Sequence, residues 1–531
     1  MAIVSTAAAL VPRPQLEAAK RRVRAWLHAA RQVARQRPPL VSGITIALGL
    51  VPAIFFAVWI GRYAVAVPKM DDWDVAQLIS KAHRGQVTVG DLFEQQQEGR
   101  TLVPRLFFLL STVRGGWDVR DLMWMTVPTT WLTAAGVFTL LRRSEISALA
   151  GALVFGAATA LIFTPAQYEV MTFAFGFPSF LPALFIVAGL VVVGSRFSVS
   201  AKFAACAALS LASSFTLPNG LLAWGLTFPV LFLQQRITRW PRWLGGWLVA
   251  SAICAAIYFS GYHKPDYLPE FAPHVQVGDY SRYFVAFLGN AMQNATKSHL
   301  VAAEVFGVLS LTIFSFSGAY IVGWKRAALA RSAPWLALGC YALGNAGLAA
   351  LGRIGYGVSY ALSSRYVTFS LYLPLAALAL VAIVIAESAN QLQATGVRVA
   401  LFASVTLALI AGFFFQARCA ADDLYFLAAH TAKERVGRAG VQFASVVNTA
   451  RAIERTIYPP GAGRIRELAT MLDAQGLLRP PLVHSASLAD LRHRQADGKR
   501  ASGGWEKTIG KSGGLVEASG WAVFNAKDRP A

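Results

Sequence analysis

Residues 41–63 read VSGITIALGLVPAIFFAVWIGRY, an apolar run with a single charged residue, Arg62. A helix rises about 1.5 Å per residue, so this run is long enough to cross the hydrocarbon core of a bilayer. Similar runs recur along most of the chain. The predicted spans are residues 41–63, 118–140, 147–164, 177–194, 202–218, 220–235, 243–261, 301–323, 334–351, 367–386 and 399–416. The sequence therefore predicts an all-α polytopic membrane protein with about eleven transmembrane helices.

The amino-acid composition agrees with a membrane protein. Hydrophobic residues make up 55% of the chain and charged residues 14%, whereas soluble domains carry about 25% charged residues. The formal net charge of +22 could suggest nucleic-acid binding. Much of the Lys and Arg, however, lies in short segments between apolar runs, as the positive-inside rule predicts. We therefore expect membrane lipid, and no nucleic acid, as a partner.

The basic residues also predict the orientation of the chain. Residues 1–40 hold eight Lys and Arg against one acid, Glu17, which is typical of a cytoplasmic tail. The turns 165–176 and 218–220, expected on the opposite side, contain no Lys or Arg. The short segments expected on the cytoplasmic side carry Arg142, Arg143, Arg196, Lys202, Arg236, Arg239, Arg242, Lys325, Arg326 and Arg331. This alternation predicts a cytoplasmic N-terminus and an extracytoplasmic C-terminus.

The chain divides into three predicted regions. After the tail 1–40, residues 41–417 form the membrane domain, with a first outer loop at 68–117. Within that loop, residues 102–113 are apolar but too short to span, which favours an amphipathic helix in the outer interface. Residues 418–531 form a small polar region, predicted to be helical at 420–457 and 462–476 and to end in a short β segment at 515–524.

Three carboxylates, Asp71, Asp72 and Asp74, stand within four residues just beyond the first span. Residues 73–84 are predicted to form a short helix that ends at Gly85, and capping that helix accounts for one aspartate, Asp72 or Asp74. Adjacent side chains of an extended segment point to opposite sides, so Asp71 and Asp72 cannot both face one substrate atom. The pattern favours one general base with a supporting neighbour.

Further polar residues stand in the other outer segments, each with a purely structural alternative. Glu98 and Arg100 either form a solvated turn or contribute a phosphate ligand, because a guanidinium binds oxyanions bidentately. Glu169 is either an interfacial acid or faces a cavity. Arg365 either reaches lipid headgroups or holds a lipid-linked phosphate.

In the order and placement of these residues the chain resembles the GT-C superfamily of integral-membrane glycosyltransferases, over about residues 40–420. The Asp71-Asp72 pair resembles the acidic motif of the family's first outer loop. Glu98-Gly99-Arg100 resembles a Glu-His-Arg motif, with Gly99 where His is common. Two further matches complete the resemblance: Gln167 and Glu169 resemble a recurrent Gln-x-Glu turn, and Ser364-Arg365-Tyr366 a recurrent late-loop motif.

The resemblance implies an inverting transfer of sugar from a polyprenyl-phosphate donor to a hydroxyl of a glycan or lipid-linked acceptor, on the outer face of the bacterial inner membrane. Asp71 is the first choice as general base, with Asp72 in support. Arg100 and Arg365 would stabilise the departing phosphate. The other residues implied in substrate binding are Asp74, Glu98, Gln167, Glu169 and Tyr366. A divalent cation is compatible with this site, but no residue pattern demands one.

Two other functions fit a polytopic membrane protein. A transporter or flippase of lipid-linked saccharide would place functional charges near the bilayer midplane, often in repeated halves. Here the candidate residues lie at the outer boundary, and we find no convincing repeat. A polysaccharide polymerase or ligase would place its main basic loop late in the chain, whereas the acidic motif here comes early. The sequence therefore favours the glycosyltransferase.

Overall fold

The computed structural model describes residues 38–235, 240–265, 277–292, 300–388, 422, 424–446, 448–458, 461–484, 501–511 and 515–524. The predicted cytoplasmic tail, apart from residues 38–40, lies outside the described residues, as does the predicted span 399–416.

Helices dominate the described chain. In chain order they are α1 (Pro38–Tyr63), α2 (Ala76–His83), α3 (Val89–Phe93), α4 (Leu102–Ser111), α5 (Arg120–Arg142), α6 (Ala148–Ile162), α7 (Leu181–Val193), α8 (Val199–Ser214), α9 (Leu222–Gln235), α10 (Trp240–Phe259), α11 (Val277–Leu288), α12 (Leu300–Trp324), α13 (Leu329–Arg353), α14 (Tyr372–Ser388), α15 (424–442), α16 (Ala450–Thr456) and α17 (Ala462–Ala474). Shorter 3₁₀ helices connect them at Met70–Val75, Pro165–Gln167, Ala174–Phe180, Pro218–Leu221, Asn290–Met292, Arg326–Ala328, Ile354–Tyr356, Val358–Leu362 and Ser364–Tyr366, and single α-helical turns lie at Tyr168–Met171 and Val367–Ser370.

Seven helical stretches in the described ranges are long and apolar enough to cross a membrane. They are Thr45–Tyr63, Ala148–Met171, Ala174–Val193, Pro241–Phe259, Leu300–Trp324, Arg326–Tyr356 and Ser364–Glu387. The prediction of an all-α polytopic membrane protein is thus confirmed. The predicted spans 118–140, 202–218 and 220–235 are helical as α5, α8 and α9, but these helices are shorter or less apolar than the seven.

Loop residues that are distant in sequence form two separate groups of contacts. In one group, Arg331 forms ion pairs with Glu145 and Glu387, and the Trp335 indole donates to the Ser144 hydroxyl at 2.8 Å. Arg331, Glu145, Glu387 and Ser144 belong to segments predicted to be cytoplasmic, and Trp335 lies at the start of the predicted span 334–351. The segments predicted to be outer loops meet in the other group. These contacts agree with the predicted grouping of the loops, and their orientation in the membrane stays a prediction.

The first outer loop folds into short elements close to the prediction. The predicted helix at 73–84 is confirmed as a 3₁₀ turn followed by α2, and Gly85 ends it with a φ of +68°. The expectation of an extended backbone at Asp71-Asp72 is wrong. The Asp72 carboxylate accepts the Lys69 N–H at 3.1 Å, which closes a helical turn over the acidic residues.

An antiparallel hairpin follows in the same loop. Its strands are β1 (Gln95–Gln96) and β2 (Gly99–Arg100), and Gln97 in the turn has a φ of +54°. Next comes α4, close to the predicted interfacial helix at 102–113. It buries Phe108 and exposes Leu106 and Leu110, so it presents an apolar face.

The C-terminal region packs on the first outer loop. Met70 N–H donates to the Ile457 carbonyl at 3.0 Å, and Trp117 N–H donates to the Leu477 carbonyl at 2.5 Å. The prediction of a single helix at 420–457 is wrong in one respect, because the structure has two helices there, α15 and α16. The Asn448 side chain accepts the Ala450 N–H at 3.2 Å and starts the second helix.

The last described residues form a β-hairpin. The predicted strand 515–524 is confirmed as β4 (Leu515–Phe524), paired antiparallel with β3 (Ala501–Lys511). Its partner strand lies in the stretch rich in Gly, Ser and Lys, where no strand was expected. An irregularity between Trp505 and Lys507 shifts the register of the pair.

Candidate functional site

Asp71 lies half-buried in the 3₁₀ turn Met70–Val75. Burial raises the pKa of its carboxyl, as does the nearby negative charge of Glu98. A hydrogen bond from Gln97 and the positive charge of Arg365 oppose this rise without cancelling it. A carboxylate with a raised pKa accepts a proton more readily, which suits a general base.

Asp72 points the other way, into the protein, and is fully buried. One carboxylate oxygen accepts the Lys69 N–H, and the other accepts the Phe175 N–H at 2.8 Å. Burial raises its pKa to about 8, although both hydrogen bonds and the Lys69 charge oppose the rise. Asp72 therefore joins the first outer loop to the turn before α7, and this position suits the supporting role better than that of a base.

Asp74 lies one 3₁₀ turn after Asp71. Residues three apart in such a helix lie on one side, so the two carboxylates face the same direction. Burial and the Asp71 charge raise the pKa of Asp74. Arg464 of α17 opposes this with an ion pair at 3.2 Å. The C-terminal region thus contributes a cation to the acidic turn.

Glu98 forms an ion pair with Arg353, the last residue of α13. Both side chains are partly buried. Arg353 was not among the candidate residues from the sequence. The sequence feature that could have identified Arg353 is its position in the short segment 352–366, predicted to be outer, which also holds Arg365. The pair brings the hairpin of the first outer loop against the loop between α13 and α14.

Arg100 does not face the carboxylates. Its Nε donates to the Tyr258 carbonyl at 2.7 Å, and its two terminal nitrogens donate to the carbonyls of Phe93 and Ser260. Three backbone acceptors therefore occupy the guanidinium. This geometry makes Arg100 a clamp between the first outer loop and the end of α10, and the predicted phosphate contact of Arg100 remains untested.

Close packing explains why the neighbouring residue, Gly99, is a glycine. A Cβ atom at this position would lie 3.0 Å from the Tyr258 hydroxyl and 3.1 Å from Cδ of Pro218. A histidine here, as in the related motif, would need those groups to move. The departure from Glu-His-Arg therefore agrees with how tightly the hairpin packs in this chain.

Two of the turns predicted to be outer meet around Glu169 and Arg365. The Glu169 carboxylate accepts the Arg365 N–H at 3.2 Å, and the Glu169 N–H donates to the Ser364 hydroxyl at 3.2 Å. The same hydroxyl donates to the Ala166 carbonyl at 2.6 Å. Gln167 is buried beneath this junction and donates to the Ile162 carbonyl at 2.9 Å. Glu169 and Arg365, which are distant in sequence, thus lie together.

The Arg365 side chain is exposed and lies between aromatic rings. Its guanidinium carbon is 5.4 Å from the Tyr360 ring centre and 5.5 Å from that of Tyr366, and it donates to the Tyr360 hydroxyl. Such cation–π contacts hold the guanidinium in place. Tyr283 of α11 also lies within electrostatic reach of Tyr366. Tyr360 and Tyr283 are further residues near Arg365 and Tyr366 that the sequence did not single out.

Five of the predicted residues therefore share one electrostatic cluster at the predicted outer end. They are Asp71, Glu98, Glu169, Arg365 and Tyr366, joined by Gln97, Arg353, Tyr360 and Tyr283. Asp74 borders this cluster, Asp72 and Gln167 support it from below, and Arg100 lies outside it. We call this group the outer cluster. It combines one carboxylate of raised pKa with two arginines.

Within the described part of the chain, no group of three or more His, Cys, Asp or Glu residues is arranged to hold a metal ion. A cation shared between one carboxylate and a substrate phosphate needs no such group, so the divalent cation remains a prediction. No protein-family model, curated protein or solved structure shows significant similarity to this chain.

Proposed function

We propose that this protein is an integral-membrane glycosyltransferase of the GT-C type. It moves a sugar from a polyprenyl-phosphate donor to a hydroxyl of a glycan or lipid-linked acceptor. The proposed setting is the outer face of a bacterial inner membrane, with about eleven spans, the N-terminus in the cytoplasm and the C-terminus outside. The observation that carries the proposal is the outer cluster, where Asp71 and Arg365 come within electrostatic reach of each other.

The proposed reaction is a single displacement at the anomeric carbon. The oxygen of the acceptor hydroxyl attacks the anomeric carbon, and the Asp71 carboxylate takes the proton of that hydroxyl. The bond from the anomeric carbon to the phosphate oxygen breaks, and its electron pair leaves with the polyprenyl phosphate. The sugar therefore changes its anomeric configuration. The raised pKa of Asp71 supports this role, because proton transfer to it is more favourable than to an exposed carboxylate.

Arg353 and Arg365 are the proposed phosphate ligands. Each carries a fixed positive charge beside the carboxylates, and Arg365 is exposed and held by two tyrosine rings. Charge that develops on the leaving phosphate is stabilised by such preorganised cations. Arg353 is paired with Glu98 in the absence of substrate, so phosphate binding would compete with that ion pair. The exposed helix surfaces would accommodate the isoprenoid tail.

The proposal is tested with the full-length protein in proteoliposomes. Labelled polyprenyl-phosphate sugars serve as donors, and a glycolipid extract of the native membrane serves as acceptor. The wild type should transfer label to the extract, and Arg365→Gln should lower the rate about 100-fold or more, as the loss of one transition-state donor does. Arg114→Gln, an exposed arginine of the first outer loop outside the outer cluster, is the matched control and should transfer at the wild-type rate.

One result would contradict the glycosyltransferase and another its proposed phosphate site. If the donor moves across the bilayer and its sugar–phosphate bond stays intact, the protein is a transporter or flippase. If Arg365→Gln transfers sugar at the wild-type rate, the outer cluster is not the phosphate site.

A further inference from the structure

A second basic group lies away from the outer cluster, where α15 crosses the ends of α1 and α5. It comprises Arg62, Arg120, Arg435 and Arg438, which we call the arginine cluster. Thr431, Arg435 and Arg438 are spaced i, i+4 and i+7, so they share one face of α15. The Thr431 hydroxyl lies 3.4 Å from the Tyr63 carbonyl oxygen, which places this face beside Arg62.

The arginine cluster lies at the end of a membrane-spanning helix. Tyr63 is the last residue of the first apolar stretch, and Arg62 directly precedes it. A Cβ atom at Gly61 would be 3.2 Å from the Trp124 ring, so the ends of α1 and α5 are close together. Trp124 is exposed. Exposed Trp and Tyr at helix ends are typical of the membrane interface, where lipid phosphates lie.

The positive charge of the arginine cluster is poorly compensated. Arg120 pairs with Asp118 at 2.6 Å. Within the described chain, neither Arg435 nor Arg438 forms an ion pair, and Nε of Arg438 is buried without a hydrogen-bond partner. Burial and the charges of Arg438 and Arg62 lower the pKa of Arg435. Burial and the charge of Arg120 lower that of Arg438, and only Asp118 opposes this.

We propose that the arginine cluster binds the phosphate of an anionic lipid at the membrane boundary. Guanidinium groups bind phosphate oxygens bidentately, and a phosphate would supply the missing negative charge. The phosphate belongs either to a phospholipid headgroup or to an isoprenoid phosphate, since both present it at this depth. The site is separate from the proposed catalysis and does not depend on it.

The test measures lipid binding by the purified full-length protein in a neutral detergent. The probes are dioctanoyl phosphatidylglycerol, farnesyl phosphate, dioctanoyl phosphatidylcholine and inorganic phosphate, and the readout is the rise of the unfolding temperature with probe concentration. At least one of the first two should raise the unfolding temperature well above the effect of the last two. Phosphatidylglycerol alone would identify a phospholipid, and farnesyl phosphate alone an isoprenoid.

The variant Arg435→Gln/Arg438→Gln should weaken binding of the effective probe about tenfold or more, since two cationic contacts are lost. The matched control is Arg451→Gln/Arg455→Gln, two exposed arginines of α16, which should bind as the wild type does. In the absence of lipid, the first variant should unfold at the wild-type temperature or higher, because mutual repulsion is relieved. If that variant fails to fold, Arg435→Gln alone is tested in the same way.

Two outcomes would overturn the lipid site. One is undiminished binding of the effective anionic lipid by the folded variant. The other is a rise of the wild-type unfolding temperature with phosphatidylcholine or inorganic phosphate that is as large as the rise with the more effective anionic lipid.

Discussion

At the residue scale, three neighbouring aspartates have three different environments. Asp71 faces the outer cluster, Asp72 is buried between two backbone N–H donors, and Asp74 pairs with Arg464. The sequence predicted that one aspartate would be taken up by local structure and that one would be the base. It could not predict which, because the buried Asp72 carboxylate accepts the N–H of Phe175, about a hundred residues further along the chain.

The pH dependence of transfer tests the role of Asp71. The base acts in its deprotonated form, so activity should rise with pH through an apparent pKa above the usual carboxyl value. Gln97→Ala removes a hydrogen bond that favours the charged form. We expect the acidic limb of the pH profile of kcat/KM to shift to higher pH by about one unit. Gln86→Ala, an exposed glutamine of the same loop, should leave the limb in place. A limb that stays in place or moves downward in Gln97→Ala would contradict the assignment.

At the element scale, the long helices were predictable and the short ones only in part. Apolar runs predict α1, α6 and α12 because lipid demands apolar surface and internally bonded backbone. The hairpin at 95–100 could not be predicted, since Gln-Gln-Gln has no strand pattern and its shape depends on the contacts of Arg100 with α10. The same contacts explain why Arg100 is occupied by carbonyls, which no local pattern could reveal.

The attachment of α15 to the first outer loop rests on a buried ion pair. Lys69 pairs with Glu434, and His430 lies 3.1 Å from the same carboxylate. Lys69, with His430, holds the pKa of Glu434 below its usual value although burial opposes this. A lowered carboxyl pKa stabilises the folded state at pH values above the pKa of the unfolded state, about 4.5. This stabilisation is lost as the pH falls through the lower pKa of the folded state.

Glu434→Gln should therefore destabilise the protein by about 3 kcal/mol at pH 7, because it leaves Lys69 buried without a counter-charge. The measurement is the unfolding temperature in detergent at pH 7 and pH 4. The loss should be smaller at pH 4, where the wild type has begun to lose the same ion pair. Glu454→Gln, an exposed glutamate of α16, is the control. An equal loss at both pH values would show that the carboxylate charge is not what matters.

At the scale of the whole molecule, the sequence predicted how the loops divide but not how they meet. Alternating basic segments sorted the loops onto two sides, and the structure has two corresponding groups of contacts. Contacts such as Glu98 with Arg353 and Glu169 with Arg365 join residues about 200 to 250 positions apart. No local pattern specifies such contacts, because they depend on how the bundle packs.

The orientation of these two groups of loops in the membrane can be measured by cysteine labelling. In a variant without native cysteines, a cysteine at Gln86 should react with a membrane-impermeant maleimide in intact spheroplasts. A cysteine at Arg196, in a segment predicted to be cytoplasmic, should react only after the membrane is permeabilised. Both positions are exposed, so accessibility alone does not separate them. The reverse labelling pattern would place the outer cluster in the cytoplasm and remove the proposed site of transfer.

The most direct measurement of the central claim is the glycan and glycolipid profile of the native host carrying Asp71→Asn at normal protein levels. Asn keeps the shape of the side chain but cannot accept the proton, so transfer should fall about 100-fold to 10,000-fold. The profile should then match that of a strain that lacks the protein, whereas Asp121→Asn should leave it unchanged. A normal profile with well-expressed Asp71→Asn protein would contradict Asp71 as the general base.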